Sequence, residues 1–174
     1  MLVTNKLNIP DFCVKINDSP LEICKSYKYL GVVIDDKLKW DAHIKYISTK
    51  ISKACGALTR LKNCTDIEML KNVYDALVHS YLRSRILIWG NSSKTMRNPL
   101  QTLLNKAARI MVSAPFGNID LQPAYDYLGI LDVSKLYMLE TAKYHLNLLM
   151  ISYQLKLVTT FQLKQSLIPM VLEA

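Results

Sequence analysis

The period of the apolar residues changes once along this chain, and that change limits the folds open to it. From Trp40 onward, Ile44, Ile47, Ile51, Ala54, Leu58 and Leu61 follow in steps of 4, 3, 4, 3, 4 and 3. At about 100° per residue they share one narrow stripe of an α-helix. Before Lys39 the period is two. Phe12 to Ile16 alternates, Asn17-Asp18-Ser19-Pro20 supplies turn chemistry, and Leu21 to Cys24 alternates again, which predicts a hairpin. Tyr27 to Ile34 is rich in aromatic and β-branched residues and predicts a third strand. Gly31 within it marks a bulge or a close backbone approach, and Asp35-Asp36-Lys37 ends it.

Behind the first helix, Asn63-Cys64-Thr65 reads as a loop, with Thr65 or Asp66 as the next N-cap and Glu68 in the first turn. Leu70, Val73, Tyr74, Leu77, Val78, Tyr81 and Leu82 give that helix its apolar face. It continues or kinks through Arg83-Ser84-Arg85 towards Trp89, and Gly90-Asn91 stops it. A third helix is expected to start near Pro99, to bury Leu100, Leu103, Leu104, Ala107 and Met111, and to end at Ala114 to Asn118. A short helix, Pro123 to Leu128, is closed by Gly129, and a long one runs from Asp132 through Leu136, Leu139, Ala142, Leu146 and Leu149. Within the first helix, Gly56 points to a close contact. Strands first and helices after predict an α+β fold, with a small N-terminal antiparallel hairpin or three-strand element followed by a bundle of four to five helices. So small a sheet is marginal alone, which suggests a chain that begins partway through a domain.

Length and composition narrow the class. A chain of 174 residues, 51% hydrophobic, with five glycines and six prolines, makes about one domain and no natively unfolded one. The longest uncharged apolar stretch, Tyr144 to Leu155, has 12 residues, short of the ~20 a spanning helix needs, and reads as a buried helix. The N-terminus carries no signal-peptide pattern, so an intracellular protein, nuclear or cytoplasmic and neither secreted nor membrane-bound, is expected. The four cysteines form no CxxC pair, and none of the three histidines lies at metal-ligand spacing from one, so no structural zinc is expected. Cys55 and Cys64 read as core filler. His43, at an exposed or flanking helix position, and His145, among apolar residues, read as structural. Asp35-Asp36 leads into a helix rather than sitting between two paired strands, so it reads as a turn and not as a metal-holding pair. No Ser/His/Asp set and no phosphate-cradling glycine loop can be argued from spacing, so no free-standing enzyme is expected.

The charge is unevenly spread. Of a net +8, residues 37–64 carry +6 with Asp41 as their one acid, and residues 94–116 carry +4 with none, through Lys94, Arg97, Lys106 and Arg109. Lys45, Lys53 and Arg60 project away from the apolar stripe of the first helix, with Tyr46 and Lys50 between them and the stripe, and Lys106 and Arg109 point outward from the third helix. Two basic blocks suggest a polyanionic partner, nucleic acid first. Such a face neutralises successive phosphates, and an exposed Tyr46 stacks on a base or sugar. Trp40, heading the stripe, reads as core.

Tyr27 to Leu61 resembles a stretch common to the reverse transcriptases of non-LTR (LINE, jockey-like) retrotransposons. Tyr29-Leu30-Gly31, Asp35, Leu38-Lys39-Trp40 and His43-Ile44 match that family in order. Tyr81 to Gly90, ending in Trp-Gly, Leu100 to Phe116, and Leu128-Gly129-Ile130-Leu131 followed by Lys135-Leu136 continue the pattern. The resemblance implies residues 1–36 as the end of a palm with a primer-grip-like β element, 37–116 as a basic thumb-like helical region, and 117–174 as a helical connection with a diverged tail. Tyr29, Leu30 and Gly31 would then be grip residues, and the catalytic aspartates of the palm would lie before Met1. The segment would bind a primer–template duplex, with or without a palm from a longer chain, and would be inactive alone. It would hold no cofactor itself, the Mg²⁺ belonging to the complete polymerase. A host-retained nucleic-acid-binding or protein-interaction module and a non-functional relic are the alternatives.

Overall fold

A computed structural model describes residues 15–17, 19–21, 24–114 and 120–172, with side chains described as far as Lys156. Two antiparallel hairpins come first. The strands β1 (Lys15–Ile16) and β2 (Ser19–Pro20) pair with each other, as do β3 (Ser26–Tyr29) and β4 (Val32–Asp35). Helices follow: α1 (Asp41–Leu61), α2 (Ile67–Tyr74), a π-helical turn (Asp75–His79), α3 (Ser80–Arg83), α4 (Ile86–Trp89), α5 (Lys94–Met111), α6 (Gln122–Leu128) and α7 (Val133–Leu172). The α+β architecture expected from the change of period is the one found. Of the first expected hairpin, the flanking Phe12 to Val14 and Glu22-Ile23 lie outside the described residues.

The stretch expected as one strand, Tyr27 to Ile34, is instead the second hairpin. Tyr29 pairs with Val32, leaving Leu30 and Gly31 as a two-residue turn with φ of 47° and 86°. Tight hairpin turns take positive φ at both positions because that backbone twist matches the strands. Gly31 reaches it freely, and Leu30 at a cost of about 1 kcal/mol, so the apolar run hides a turn.

The core is a single cluster from Ile44 to Leu136, with α1 packed chiefly on α5. Ile44, Ile47, Ile51, Ala54 and Leu58 are buried as the periodicity requires, and Trp40 and Leu61 pack against the cluster. Cys55 is buried there too, its thiol donating to the Leu103 carbonyl at 3.7 Å, and burial pushes that thiol up; Cys64 is exposed. Asp66 caps α2, accepting from the Met69 N–H at 2.8 Å. From there the buried positions Leu70, Tyr74, Val78, Leu82 and Ile86 recur every fourth residue. An α-helix drifts by about 40° per such step. The wider π-helical turn and a break at Ser84-Arg85, where Arg85 has φ 55°, absorb the drift. Leu77 is thereby turned outward and is exposed, against the expected apolar face. The chain turns back beneath Trp89, whose indole N–H donates to the Ser84 carbonyl at 3.1 Å.

The third long helix starts at Lys94 rather than near Pro99, because Ser93 caps it and accepts from the Met96 N–H at 3.4 Å. Gln101 ties its far side down. It donates to the Tyr125 hydroxyl at 2.9 Å and accepts from the Val133 N–H at 3.1 Å, while that hydroxyl donates to Asn105 at 2.7 Å. Burial pushes the Tyr125 phenol up to about 12. The short helix closes on Gly129 in the left-handed conformation, as expected.

Two expectations fail on packing. Tyr144 to Leu155, expected to be buried, is exposed throughout, and so are Leu139, Ala142, Leu146 and Leu149. The helix packs on α3, α4 and α5, and its side chains from Ala142 to Lys156 are exposed. Gly56 opens onto empty space, and the crowded glycine is Gly90.

One junction fixes the β3–β4 hairpin on α1. The Asp35 carboxylate accepts the N–H groups of Lys37, Lys39 and Trp40 at 3.0, 2.9 and 2.9 Å, which bends the chain straight into the helix. Partial burial raises its pKa, but these donors outweigh that and leave it below the usual carboxylate value. His43, expected at an exposed or flanking position, is buried at 3% exposure because β4 and Trp89 close over it. Its Nδ1 accepts from the Val33 N–H at 3.2 Å, so the ring is neutral with its proton on Nε2, and that nitrogen has no hydrogen-bond partner. Burial lowers the pKa of His43.

A Cβ at Gly90 would lie 2.5 Å from both Tyr137 Cδ2 and the Ile86 carbonyl oxygen. Gly90→Ala is therefore expected to destabilise the fold by about 1–3 kcal/mol, read from urea unfolding. Wild-type stability there would show that α4 and α7 part easily. Removing the Asp35 carboxylate in Asp35→Ala is expected to cost about 1–2 kcal/mol. The two titrations act in separate windows. A depressed histidine leaves stability full above about pH 6.5 and lowers it as the pH falls below that, whereas a depressed carboxylate contributes until the pH falls below about 4. Urea midpoints that stay flat between about pH 7 and 5 would rule out the buried neutral His43.

Candidate nucleic-acid interface

The hairpin tip and the outer side of α1 carry Lys28, Lys45, Lys50, Lys53 and Arg60. Tyr29, Leu30 and Gly31 make the tip and are exposed, with Tyr27 beside them. They project because the Leu30-Gly31 turn reverses the strand just where Asp35 and His43 anchor its return. Along α1, Lys45, Lys53 and Arg60 are exposed and Lys50 is half-exposed.

Tyr46, expected to be exposed, is half-buried and packs against the core cluster. Its hydroxyl accepts from Lys28 Nζ at 3.0 Å, and the same ammonium lies 4.5 Å from the ring centroid. Lys50 Nζ is 5.7 Å from that centroid on the helix side. The bond from Lys28, with the two nearby cations, lowers the Tyr46 phenol from its ordinary value. The ring also stacks on His43 at 6.4 Å between centroids. The fold thus joins Tyr46 and Lys50 to Lys28, a residue the sequence alone did not single out. Only the tertiary docking of β3 on α1 brings it there, and its position between two tyrosines carries no signal of that.

The remaining basic positions lie apart. Lys106 is exposed on α5 and close enough to Cys55 to bear on its thiol. Arg109 is half-buried and lines a separate cleft of about 290 Å³ with Asn105, Asp120, Gln122 and Tyr125.

The ion pairs of the described residues lie elsewhere. They are His79–Asp75, Arg83–Glu140, Lys135–Asp132 and Lys143–Glu140. None involves Lys28, Lys45, Lys50, Lys53 or Arg60, so among the described residues these ammonium and guanidinium groups have no carboxylate partner. Among the described residues no three His, Cys, Asp or Glu side chains converge as metal ligands, and no helix is long and apolar enough to cross a membrane.

Two known proteins are similar to this chain. An RNA-directed DNA polymerase from the mobile element jockey of Drosophila funebris is 30% identical over 107 residues, which is 59% of this chain and 12% of that protein. A probable RNA-directed DNA polymerase from transposon BS of Drosophila melanogaster is 28% identical over 92 residues, 51% of this chain and 10% of that protein. No protein-family model matches the chain, and no solved structure does. The chain spans about a tenth of the length of these relatives and bears a distant, partial similarity to non-LTR retrotransposon RNA-directed DNA polymerases.

Proposed function

We propose that this chain is a nucleic-acid-binding segment of a mobile-element reverse transcriptase, one that grips a primer–template duplex and carries out no catalysis by itself. The observation that carries the reading is the row of unpaired cations on α1 beside an exposed hairpin tip. Cations without carboxylate partners are free to displace the counterions condensed on a phosphate backbone. In this reading Tyr29, Leu30 and Gly31 act as the grip, while Lys45, Lys50, Lys53 and Arg60 follow the backbone. Lys106 and Arg109 supply a second, smaller contact region. Residues 1–36 serve as the end of a palm, 37–116 as a thumb-like region and 117–174 as a connection. The resemblance to complete polymerases brings Mg²⁺ with it, but the donor set for a metal pair is not found among the described residues. Asp35 already uses both carboxylate oxygens on backbone N–H groups.

A second reading, a protein-interaction module such as one that docks on a palm, has its own support in the exposed apolar side of α7. Duplex binding separates the two. With a short RNA–DNA hybrid, fluorescence anisotropy is expected to give an affinity whose logarithm falls with log salt by roughly 0.7–0.9 per neutralised phosphate. Replacing Lys45, Lys53 and Arg60 together by Glu is expected to weaken binding on the order of 100-fold or more. Undiminished affinity in that variant would overturn the assignment of this face.

A further inference from the structure

We propose that Lys28, Lys50 and the Tyr46 hydroxyl form one seat for a backbone phosphate of the bound nucleic acid, at the joint between the β3–β4 hairpin and α1. This deepens the reading above and rests on it. Two ammonium groups flank a single phenol, at 4.5 and 5.7 Å from its ring centroid, and no carboxylate of the described residues pairs with either. Holding two like charges together is unfavourable until an anion enters between them. A different pair of cations in this molecule shares a carboxylate. Arg83 and Lys143 share Glu140, at 3.0 and 3.2 Å. At Tyr46 that place is open.

Both ammonium groups lie around one phenol ring, within reach of a single phosphate. Lys28 gives one of its three N–H bonds to the Tyr46 oxygen, at 3.0 Å, and keeps two. Because that bond occupies a lone pair of the phenol oxygen, the Tyr46 O–H remains free to donate. The Lys28 bond, helped by the nearby Lys50 charge, acidifies the phenol, which strengthens it as a donor. The ring is less available. Lys28 lies over it and His43 stacks with it at 6.4 Å, so the hydroxyl and not an aromatic face meets the ligand. The role of Tyr46 thereby changes from stacking platform to phosphate donor. Since Lys28 lies on the strand that leads into Tyr29 and Leu30, a phosphate seated here would also hold the tip against α1.

The test uses the full chain, the same RNA–DNA hybrid and a series of salt concentrations. Lys28→Met is expected to bind about 3–10-fold more weakly, with a salt slope shallower by about 1. Tyr46→Phe removes only the hydroxyl and is expected to bind about 2–10-fold more weakly with an unchanged slope, because no charge is lost. Tyr46→Leu should match Tyr46→Phe. Full affinity in Tyr46→Phe with a loss in a Tyr46→Leu variant that melts like wild type would mean that the ring stacks on the ligand and would overturn the seat. So would wild-type binding by both Lys28→Met and Tyr46→Phe; if the triple Glu variant still fails to bind, the broader reading stands without the seat. Should the triple Glu variant bind as well as wild type, the broader reading falls and the seat with it. Circular-dichroism melts of Lys28→Met and Tyr46→Phe are expected to match wild type, since neither substitution removes buried packing.

Discussion

The Asp35 carboxylate sets the relation between the β and helical parts of this molecule. It gathers the N–H groups of Lys37, Lys39 and Trp40 within 3.0 Å, and the chain between strand and helix has little freedom once it does. The arrangement carries strain, because Leu38 and Trp40 both sit at positive φ, 52° and 69°. Such conformations cost on the order of 1 kcal/mol or more each in non-glycine residues. Charge-assisted bonds to a partly buried carboxylate are strong enough to offset that. Trp40 is delivered to the edge of the core, α1 starts in the right phase, and His43 comes under β4 to receive the Val33 N–H. The basic face of α1 and the hairpin tip are neighbours as a consequence.

Parts of this were legible in the residues and parts were not, for identifiable reasons. The stripe from Trp40 to Leu61, the Asp66 cap and the Gly129 stop depend on neighbours within about four positions, and local pattern carries them. The Leu30-Gly31 turn was hidden because a leucine in left-handed backbone breaks the usual turn chemistry, and only the pairing of Tyr29 with Val32 reveals it. The π-helical turn was hidden because seven apolar residues between Leu70 and Leu82 offer two overlapping faces. Burial of Leu70, Tyr74, Val78 and Leu82 selects between them, and that burial depends on packing against other helices. Lys28 was hidden because its partner Tyr46 is 18 residues away.

The far part of α7 shows what an apolar run does and does not say. Tyr144, Leu148, Ile151 and Leu155 lie on one stripe, and Leu146, Met150 and Tyr153 on the roughly opposite one, all exposed. A helix apolar on two sides is stable in water only when other surfaces cover both. The run therefore reports a demand for cover, and the mistake was to assume that this chain's own described helices meet it.

Charge is segregated in the same sense. Around α3 and α7 the cations are neutralised within the fold, Arg83 and Lys143 by Glu140 and Lys135 by Asp132. On α1 they are not. Exposed ion pairs contribute little to stability, about 0–1 kcal/mol each, so carboxylates on α1 would have stabilised the fold only slightly. They would, however, have cancelled the positive field on which the proposed duplex contact depends. Leaving α1 unpaired thus costs the fold little and gives up no ligand attraction, whereas the paired cations near α7 stand beside an apolar surface that a highly charged ligand would not cover. The charge pattern thus supports the proposed duplex contact at the hairpin and α1, while the exposed apolar side chains of α7 have no cover among the described residues.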